Sequence, residues 1–235
     1  VEGDEIILTT LEHHANIVPW HFLRDRKNIT LSWVNPDEYG NISLSQIKEK
    51  ITKNTKMVCF THMSNVFGSI LNAREICKFL RSKGIVSVVD GSQAAAHLNI
   101  DVRDISCDFY VITGHKIFGP TGTGILYIRE DRLREMIPFN GGGAMIKSVT
   151  KENVLYNDSP HIFEAGTPNI CGAIGLKEAI NYIKEKKDLN IRLKYIQKNR
   201  VGDHIWYISN CSKFKKHYPN WQQKYNTKKI LDELL

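Results

Sequence analysis

A lysine in a glycine-rich turn beyond the end of an apolar run is a candidate for covalent chemistry on a carbonyl, and Lys116 stands in such a place. It follows Cys107-Asp-Phe-Tyr-Val-Ile-Thr-Gly-His115 and precedes Gly119-Pro-Thr-Gly-Thr-Gly124. An amine desolvated in a turn of that kind forms Schiff bases readily; in an open turn the same residue is an ordinary surface cation. Asp90 ends another apolar run, Ile85-Val-Ser-Val-Val-Asp90, and is followed by Gly91-Ser-Gln93. A carboxylate there can pair with a protonated heterocyclic nitrogen, or it can cap the helix that follows. Gln93 is placed to donate to a ring oxygen or to sit in the turn.

His13 and His14 follow the run Glu5-Ile-Ile-Leu-Thr-Thr10. A flat imidazole there can stack on an aromatic cofactor, although a histidine pair taken alone is as well explained by structure or exposure. Metal binding has little support, because no Asp, Glu or Cys partner stands at ligand spacing. Gly141-Gly-Gly143 lacks the strand–turn–helix setting of a dinucleotide site and reads as a flexible bend.

These residues need a scaffold, and the first ~185 residues supply a pattern for one, apolar β-type runs alternating with amphipathic stretches. Strands are expected over 5–10, 28–33, 56–61, 85–90, 107–113 and 124–128. Helices are expected over 14–24, 43–51 (with Ser43 as N-cap), 73–83 (stopped by Gly84) and 172–183. Strands separated by helices indicate βαβ units and a buried, mainly parallel sheet, so the fold class is α/β with flanking helices. In such sheets ligands bind beyond the carboxyl ends of the strands. That rule places His13, Asn65, Asp90 and Lys116 at candidate positions.

Composition narrows the function classes. Five scattered cysteines without a C-x-x-C pair argue against a disulfide framework and a cysteine zinc site. The Asn-x-Ser/Thr triplets at Asn28, Asn41 and Asn210 read as chance. No apolar run reaches membrane-spanning length. Val1-Glu-Gly-Asp4 resembles neither a signal peptide nor an ordinary protein start. A reducing, cytoplasmic setting is the expectation, with an organelle left open. Of the formal +7 charge, 13 basic and 5 acidic residues lie from Ile183 onward, leaving 19 and 20 upstream. The excess therefore belongs to the tail, which reads as a solvated, partly helical surface rather than a nucleic-acid patch.

Five stretches carry a family resemblance. They are Glu12-His-His-Ala-Asn-Ile-Val-Pro-Trp20, Thr61-His-Met-Ser-Asn-Val-Phe-Gly68, Val88-Val-Asp-Gly-Ser-Gln-Ala94, Cys107 to Pro120, and Phe163-Glu-Ala-Gly-Thr-Pro-Asn169. In order and spacing, residues 1–183 resemble the class V aminotransferase group, and within it the SufS-type cysteine desulfurases, also called selenocysteine lyases. The resemblance implies the large domain of a fold-type-I transferase dependent on pyridoxal phosphate (PLP). It implies that Lys116 carries the cofactor and moves the proton, while His13 stacks on the ring and assists. Asp90 would meet the ring nitrogen, Gln93 the phenolic oxygen, and Thr113 and His115 the phosphate, with Thr113 standing where the family usually has Ser. Asn65 would hold the amino-acid substrate. Thr167 would reach the phosphate of a neighbouring subunit, implying a homodimer. The implied reaction takes L-cysteine, or L-selenocysteine, to L-alanine and an enzyme persulfide that supplies sulfur for iron–sulfur clusters, with a sulfur-acceptor protein as a further partner. Nucleic acid and membrane are not expected partners.

The departures are large. Family members are about twice as long as the matching region, so the resemblance implies a large domain truncated at both ends. Their Gly-Thr-Thr phosphate turn, the nucleophilic cysteine on its loop and the carboxylate-binding arginine find no counterpart here. The division expected is 1–184 for the PLP-enzyme portion, 185–195 for a charged junction, and 196–235 for a basic tail. Asn199-Arg-Val-Gly-Asp-His-Ile-Trp-Tyr-Ile-Ser209 and Phe214-Lys-Lys-His-Tyr-Pro-Asn-Trp221 in that tail resemble the end of nucleotide-sugar epimerases, without their catalytic motifs. Weak or absent activity of this chain alone is the expectation. Alternatives are a non-catalytic remnant or fusion fragment, and another class V lyase such as a kynureninase-like enzyme. The His-His-Ala-Asn-Ile-Val-Pro-Trp stretch favours the desulfurase branch.

Overall fold

The computed structural model describes residues 1–186, 212–222 and 229. Five strands run parallel: β1 (Glu5–Thr9), β2 (Thr30–Val34), β3 (Thr55–Thr61), β4 (Val86–Asp90) and β5 (Phe109–Thr113). A sixth, β6 (Gly124–Ile128), closes the sheet antiparallel to β5, and the order is β2-β1-β3-β4-β5-β6. The expected α/β architecture with a mainly parallel sheet is the one observed.

Alternation along the strands assigns two faces. Ile7, Val58, Phe60, Val89 and Tyr110 point to one, where they meet Ile47 of α2 (Leu44–Lys50) and Ile76, Cys77 and Leu80 of α3 (Ala73–Ser82). Ile6, Leu8 and Cys59 point to the other, against Trp20 and Leu23 of α1 (Val18–Lys27). Helices on both faces explain why β1 is buried at all five positions and why its residues 6–8 are an unbroken apolar run. Glu5, the charged residue of the strand, is held by the hydroxyls of Ser32, Thr52 and Thr55 at 2.5, 2.8 and 2.5 Å.

Local signals act as expected at most ends. Ser43 caps α2 in a reciprocal box with Gln46, and Gly84 leaves α3 at φ +69°. Two boundaries differ. The helix expected from residue 14 opens as a separate 3₁₀ turn over His14–Asn16, and α1 starts only at Val18, with Pro19 in its first turn where no N–H is needed. Asn28, expected to open β2, is instead the left-handed C-cap of α1 at φ 51°. Two four-residue helices, α4 (Ala94–His97) and α5 (Val102–Ile105), are too short to show a period in sequence.

Beyond β6 come α6 (Glu130–Glu135), a hairpin of β7 (Ile146–Val149) and β8 (Val154–Tyr156), and α7 (Ile170–Lys186). The Gly141–Gly143 bend leads into this hairpin, and Gly166 N–H donates to Gly143 O at 2.8 Å. The chain divides into two compact units, Val1–Ile180 and Asn181–Leu235. The second contains α8 (Ser212–His217), where the Phe214 ring meets Tyr218 at 4.9 Å and Trp221 at 5.3 Å. Most of the charged junction and of the tail, including Cys211 and the segment 199–209, lies outside the described residues. No described helix is long and apolar enough to cross a membrane.

Candidate functional site

Lys116 sits at the centre of a 3₁₀ turn, Gly114–Ile117, that begins where β5 ends. Two glycines make so tight a turn possible. A Cβ on Gly114 would fall 2.2 Å from Thr123 Oγ1, and one on Gly119 would fall 2.9 Å from the Gly114 carbonyl oxygen. Hydrogen bonds from Gly114 N–H to Thr123 O and from Gly119 N–H to Gly114 O, 2.9 and 2.8 Å, then lock the loop around a half-buried Lys116. Phe118 leaves the turn at φ 62°, a conformation uncommon for a bulky side chain and characteristic of functional loops. Directly before the lysine, Thr113 Oγ1 and His115 Nδ1 lie 3.0 Å apart, pairing a hydroxyl with an imidazole.

Asp90 ends β4, next to β5 in the sheet. Its Oδ1 accepts the Ser92 N–H at 2.9 Å, which aims the carboxylate, while its carbonyl oxygen accepts the His62 N–H at 2.9 Å. Gly91 is required here: a Cβ would lie 2.0 Å from the ring of the fully buried Tyr110. Tyr110 itself is fixed by a 2.8 Å bond between its hydroxyl and His62 Nδ1. Burial pushes the tyrosine pKa up and the histidine pKa down, so this pair stays neutral around pH 7. Gln93 follows at the start of α4, half-buried, with no capping bond made by its side chain.

His13 lies after β1 and is exposed. It caps the 3₁₀ turn, its Nδ1 accepting the Ala15 N–H at 3.1 Å. Asn65 is exposed on the loop after β3, a loop shaped by Ser64 Oγ, which accepts the N–H groups of Val66 and Phe67 at 3.2 Å. Four neighbouring parallel strands, β1, β3, β4 and β5, thus deliver His13, Asn65, Asp90 with Gln93, and Thr113 with His115 and Lys116 to one edge of the sheet. Thr167 is placed differently. It is exposed on the loop before α7, anchored through Gly166 to the glycine bend rather than to a sheet strand.

One residue at this edge was not anticipated from sequence. Glu12, 7 % exposed, lies between β1 and His13 and accepts three hydrogen bonds. The donors are the Thr9 hydroxyl at 2.6 Å, the Thr61 N–H at 2.8 Å and the Asn16 amide at 2.7 Å. Burial raises its pKa to about 7, the negative charge of Asp90 adds to the rise, and the three donors oppose it. Cys59 on β3 is the other titratable group beside it. Folded Glu12 therefore keeps its proton to about pH 7, whereas the unfolded side chain loses it near 4.5. The stability this contributes is complete below the unfolded value and is lost as pH rises to the folded one. Urea unfolding across that window should show stability falling with pH, and the Glu12→Gln variant should lack this component of the slope. An unchanged slope would mean that Glu12 does not titrate there.

The chemistry of this donor set fits PLP: an amine for its aldehyde, a carboxylate for its ring nitrogen, an amide for its phenolic oxygen, and a hydroxyl with an imidazole for its phosphate.

Comparisons with known proteins bear on the family and the fold. The family model described as aminotransferase class-V matches residues 1–205. A probable cysteine desulfurase of Xylella fastidiosa is 47% identical over 182 residues, covering 77% of this chain and 44% of its own length. The crystal structure of the Escherichia coli cysteine desulfurase CsdA aligns with a TM-score of 0.76 at 36% identity, over 78% of this chain and 46% of that one. The lyase C-DES, solved as a mutant with glycine covalently linked to its PLP cofactor, aligns with a TM-score of 0.72 at 27% identity, over 78% and 50% of the two chains. The chain spans about half the length of the curated relatives it matches. By the match over most of its length, and by homology to cysteine desulfurases, the chain belongs to the PLP-dependent class-V aminotransferase family.

Proposed function

We propose that this chain binds PLP through Lys116 and is a portion of a cysteine desulfurase. The observation that carries the reading is the delivery of an amine, a carboxylate, an amide and a hydroxyl–imidazole pair to one sheet edge by adjacent parallel strands. When bound, PLP supplies an electron sink for bonds at the α-carbon of an amino acid. The chain's own residues supply position and protons. Lys116 Nζ attaches the cofactor and carries the proton. Asp90 keeps the ring nitrogen protonated, with Ser92 N–H fixing one carboxylate oxygen. Gln93 donates to the phenolic oxygen, and Thr113 and His115 bind the phosphate. His13 covers the ring and assists proton transfer, and Asn65 helps hold the amino-acid substrate. Thr167 acts across a homodimer on the partner's phosphate. The substrate is L-cysteine or L-selenocysteine, L-alanine is the product, and the sulfur passes to an enzyme thiol and from there to an acceptor protein serving iron–sulfur cluster assembly.

A thiol acceptor is the part this chain is least equipped to provide. Cys59, Cys77 and Cys107 are buried, and burial pushes all three thiols up, away from the thiolate form that sulfur transfer requires. Cys171, in the first turn of α7, is exposed, and Cys211 lies outside the described residues. Together with coverage of about half of each relative, this favours a chain that holds the cofactor and turns over cysteine poorly by itself.

Two measurements test the reading. The purified 235-residue chain mixed with PLP should develop a visible absorbance band, and borohydride reduction followed by peptide mass mapping should place the pyridoxyl group on Lys116. Adduct spread over the tail lysines, or none, would overturn the cofactor assignment. Alanine formation from added cysteine should stay near background; robust turnover would overturn the view that no described thiol serves as acceptor.

A further inference from the structure

We propose that Glu12 is a positioning residue of this site, holding the turn that orients His13 and thereby deciding which nitrogen of the His13 ring carries the proton. The role of His13 beside PLP rests on the function proposed above; the coupling between Glu12 and His13 rests on geometry alone. Both carboxylate oxygens of Glu12 are engaged. Oε1 accepts from the Thr9 hydroxyl at 2.6 Å and the Thr61 N–H at 2.8 Å, and Oε2 accepts from Asn16 Nδ2 at 2.7 Å.

The partners are committed as donors. Thr61 offers a backbone N–H. Asn16 Oδ1 already accepts the Trp20 indole N–H at 3.2 Å, and Thr9, whose Oγ1 accepts the Leu11 N–H at 3.2 Å, turns its O–H to the same Oε1 that the Thr61 N–H fixes as an acceptor. One carboxylate thus ties β1, β3 and α1 to the 3₁₀ turn between them. Through Thr61, the register partner of Asp90, it also ties that turn to the strand pair that ends at the cofactor carboxylate.

The turn so held is the one His13 caps. Asn16 N–H donates to His13 O at 2.8 Å, and Ala15 N–H donates to His13 Nδ1 at 3.1 Å. A backbone N–H can only donate, so Nδ1 presents a lone pair and a neutral ring carries its proton on Nε2. Release of Asn16 frees the turn, the Ala15 bond loses its alignment, and the ring returns toward the tautomer mixture of free imidazole. Glutamine is the informative substitution because its amide group would face one of the committed donors, which keeps the shape of Glu12 and breaks the network.

The test uses ¹⁵N-labelled full chain without PLP, with histidine side-chain nitrogens read by long-range ¹H–¹⁵N correlation above the imidazole titration range. His13 is assigned by its loss in His13→Gln. The native chain should show His13 as the Nε2–H tautomer. In Glu12→Gln the ratio of the two tautomers should move about 5-fold toward that of free imidazole, the change that one ordinary hydrogen bond produces. Asn16→Ala, which cuts the same tie at a half-buried position, should reproduce the shift. His62, held against Tyr110 on another strand end, should keep its signals in both variants and so reports an intact fold. A His13 spectrum unchanged in Asn16→Ala, or unchanged in Glu12→Gln with His62 retained, would overturn the proposal. Failure of the native chain to form a Lys116 adduct would overturn the cofactor reading and leave this result standing.

Discussion

Lys116→Ala is expected to remove the borohydride-stable adduct and the visible band of the PLP-treated chain, down to the level of non-specific labelling. The residue occupies the middle of a turn closed by Gly114, Gly119 and Thr123, and the bonds that close it are made by backbone groups. Removing the side chain beyond Cβ leaves that turn intact. The substitution should therefore move stability by no more than about 0.5 kcal/mol, the ordinary range for a position outside the core. That separation makes the experiment decisive, because loss of adduct with an unchanged melting curve can only be loss of the reacting amine. Lys116→Arg serves as a companion: it restores positive charge, but a guanidinium stays protonated and forms no imine at neutral pH. Recovery of the band by arginine would mean that electrostatics rather than covalent attachment held the cofactor. An adduct persisting in Lys116→Ala would mean that another lysine carries it, and the assignment of the site would fail.

The parts of this site that were legible in sequence share a physical cause. A parallel strand buried on both faces reads as an apolar run, and its last residue meets solvent or ligand, so the switch from apolar to polar marks the functional edge. Asp90, Thr113 and the Gly114–Lys116 turn were placed by that switch, and the structure puts them at the ends of β4 and β5. The direction of β6 was not anticipated, although the chain contains the clue. Only ten residues separate Thr113 from Gly124, four of them in the turn, and a parallel crossover needs a dozen or more. The role of Glu12 was not legible for a different reason. Its partner Thr61 lies 49 residues away, and a glutamate after a strand looks like any solvated carboxylate until β1 and β3 are paired. Asp108 escaped notice in the same way. It stands inside a stretch recognised for its lysine, and its partners come from β4, from the residue after β6 and from α6.

Asp108→Ala should cost about 3 kcal/mol of folding stability, at the lower end of the range for breaking a buried ion pair. Asp108 is 1 % exposed and gathers three segments. Its Oδ2 accepts the Ser87 N–H at 2.9 Å and the Ser87 hydroxyl at 3.0 Å; its Oδ1 meets Arg129 at 2.8 Å and Arg132 at 3.1 Å. Alanine would leave a buried backbone N–H on β4 without its acceptor and two guanidinium groups short of their shared carboxylate. Arg129 and Arg132 keep Asp131 and Glu135 respectively, which limits the loss, but those partners are well exposed and screened by solvent. Against a total of ~5–15 kcal/mol for a domain, this is a large fraction. Asp108→Asn should fall between the two, because its side-chain oxygen can still accept from Ser87 while the ion pairs are lost. The consequence reaches the site because Asp108 immediately precedes β5, the strand that carries Thr113, His115 and Lys116 outward. In urea titrations of the PLP-treated chain, the midpoint for losing the Lys116 adduct band should shift down together with the unfolding midpoint in Asp108→Ala. Stability within 1 kcal/mol of the native chain would show that this network is not what joins β4, β5 and β6. A band lost well before unfolding would instead place its effect on the lysine turn alone.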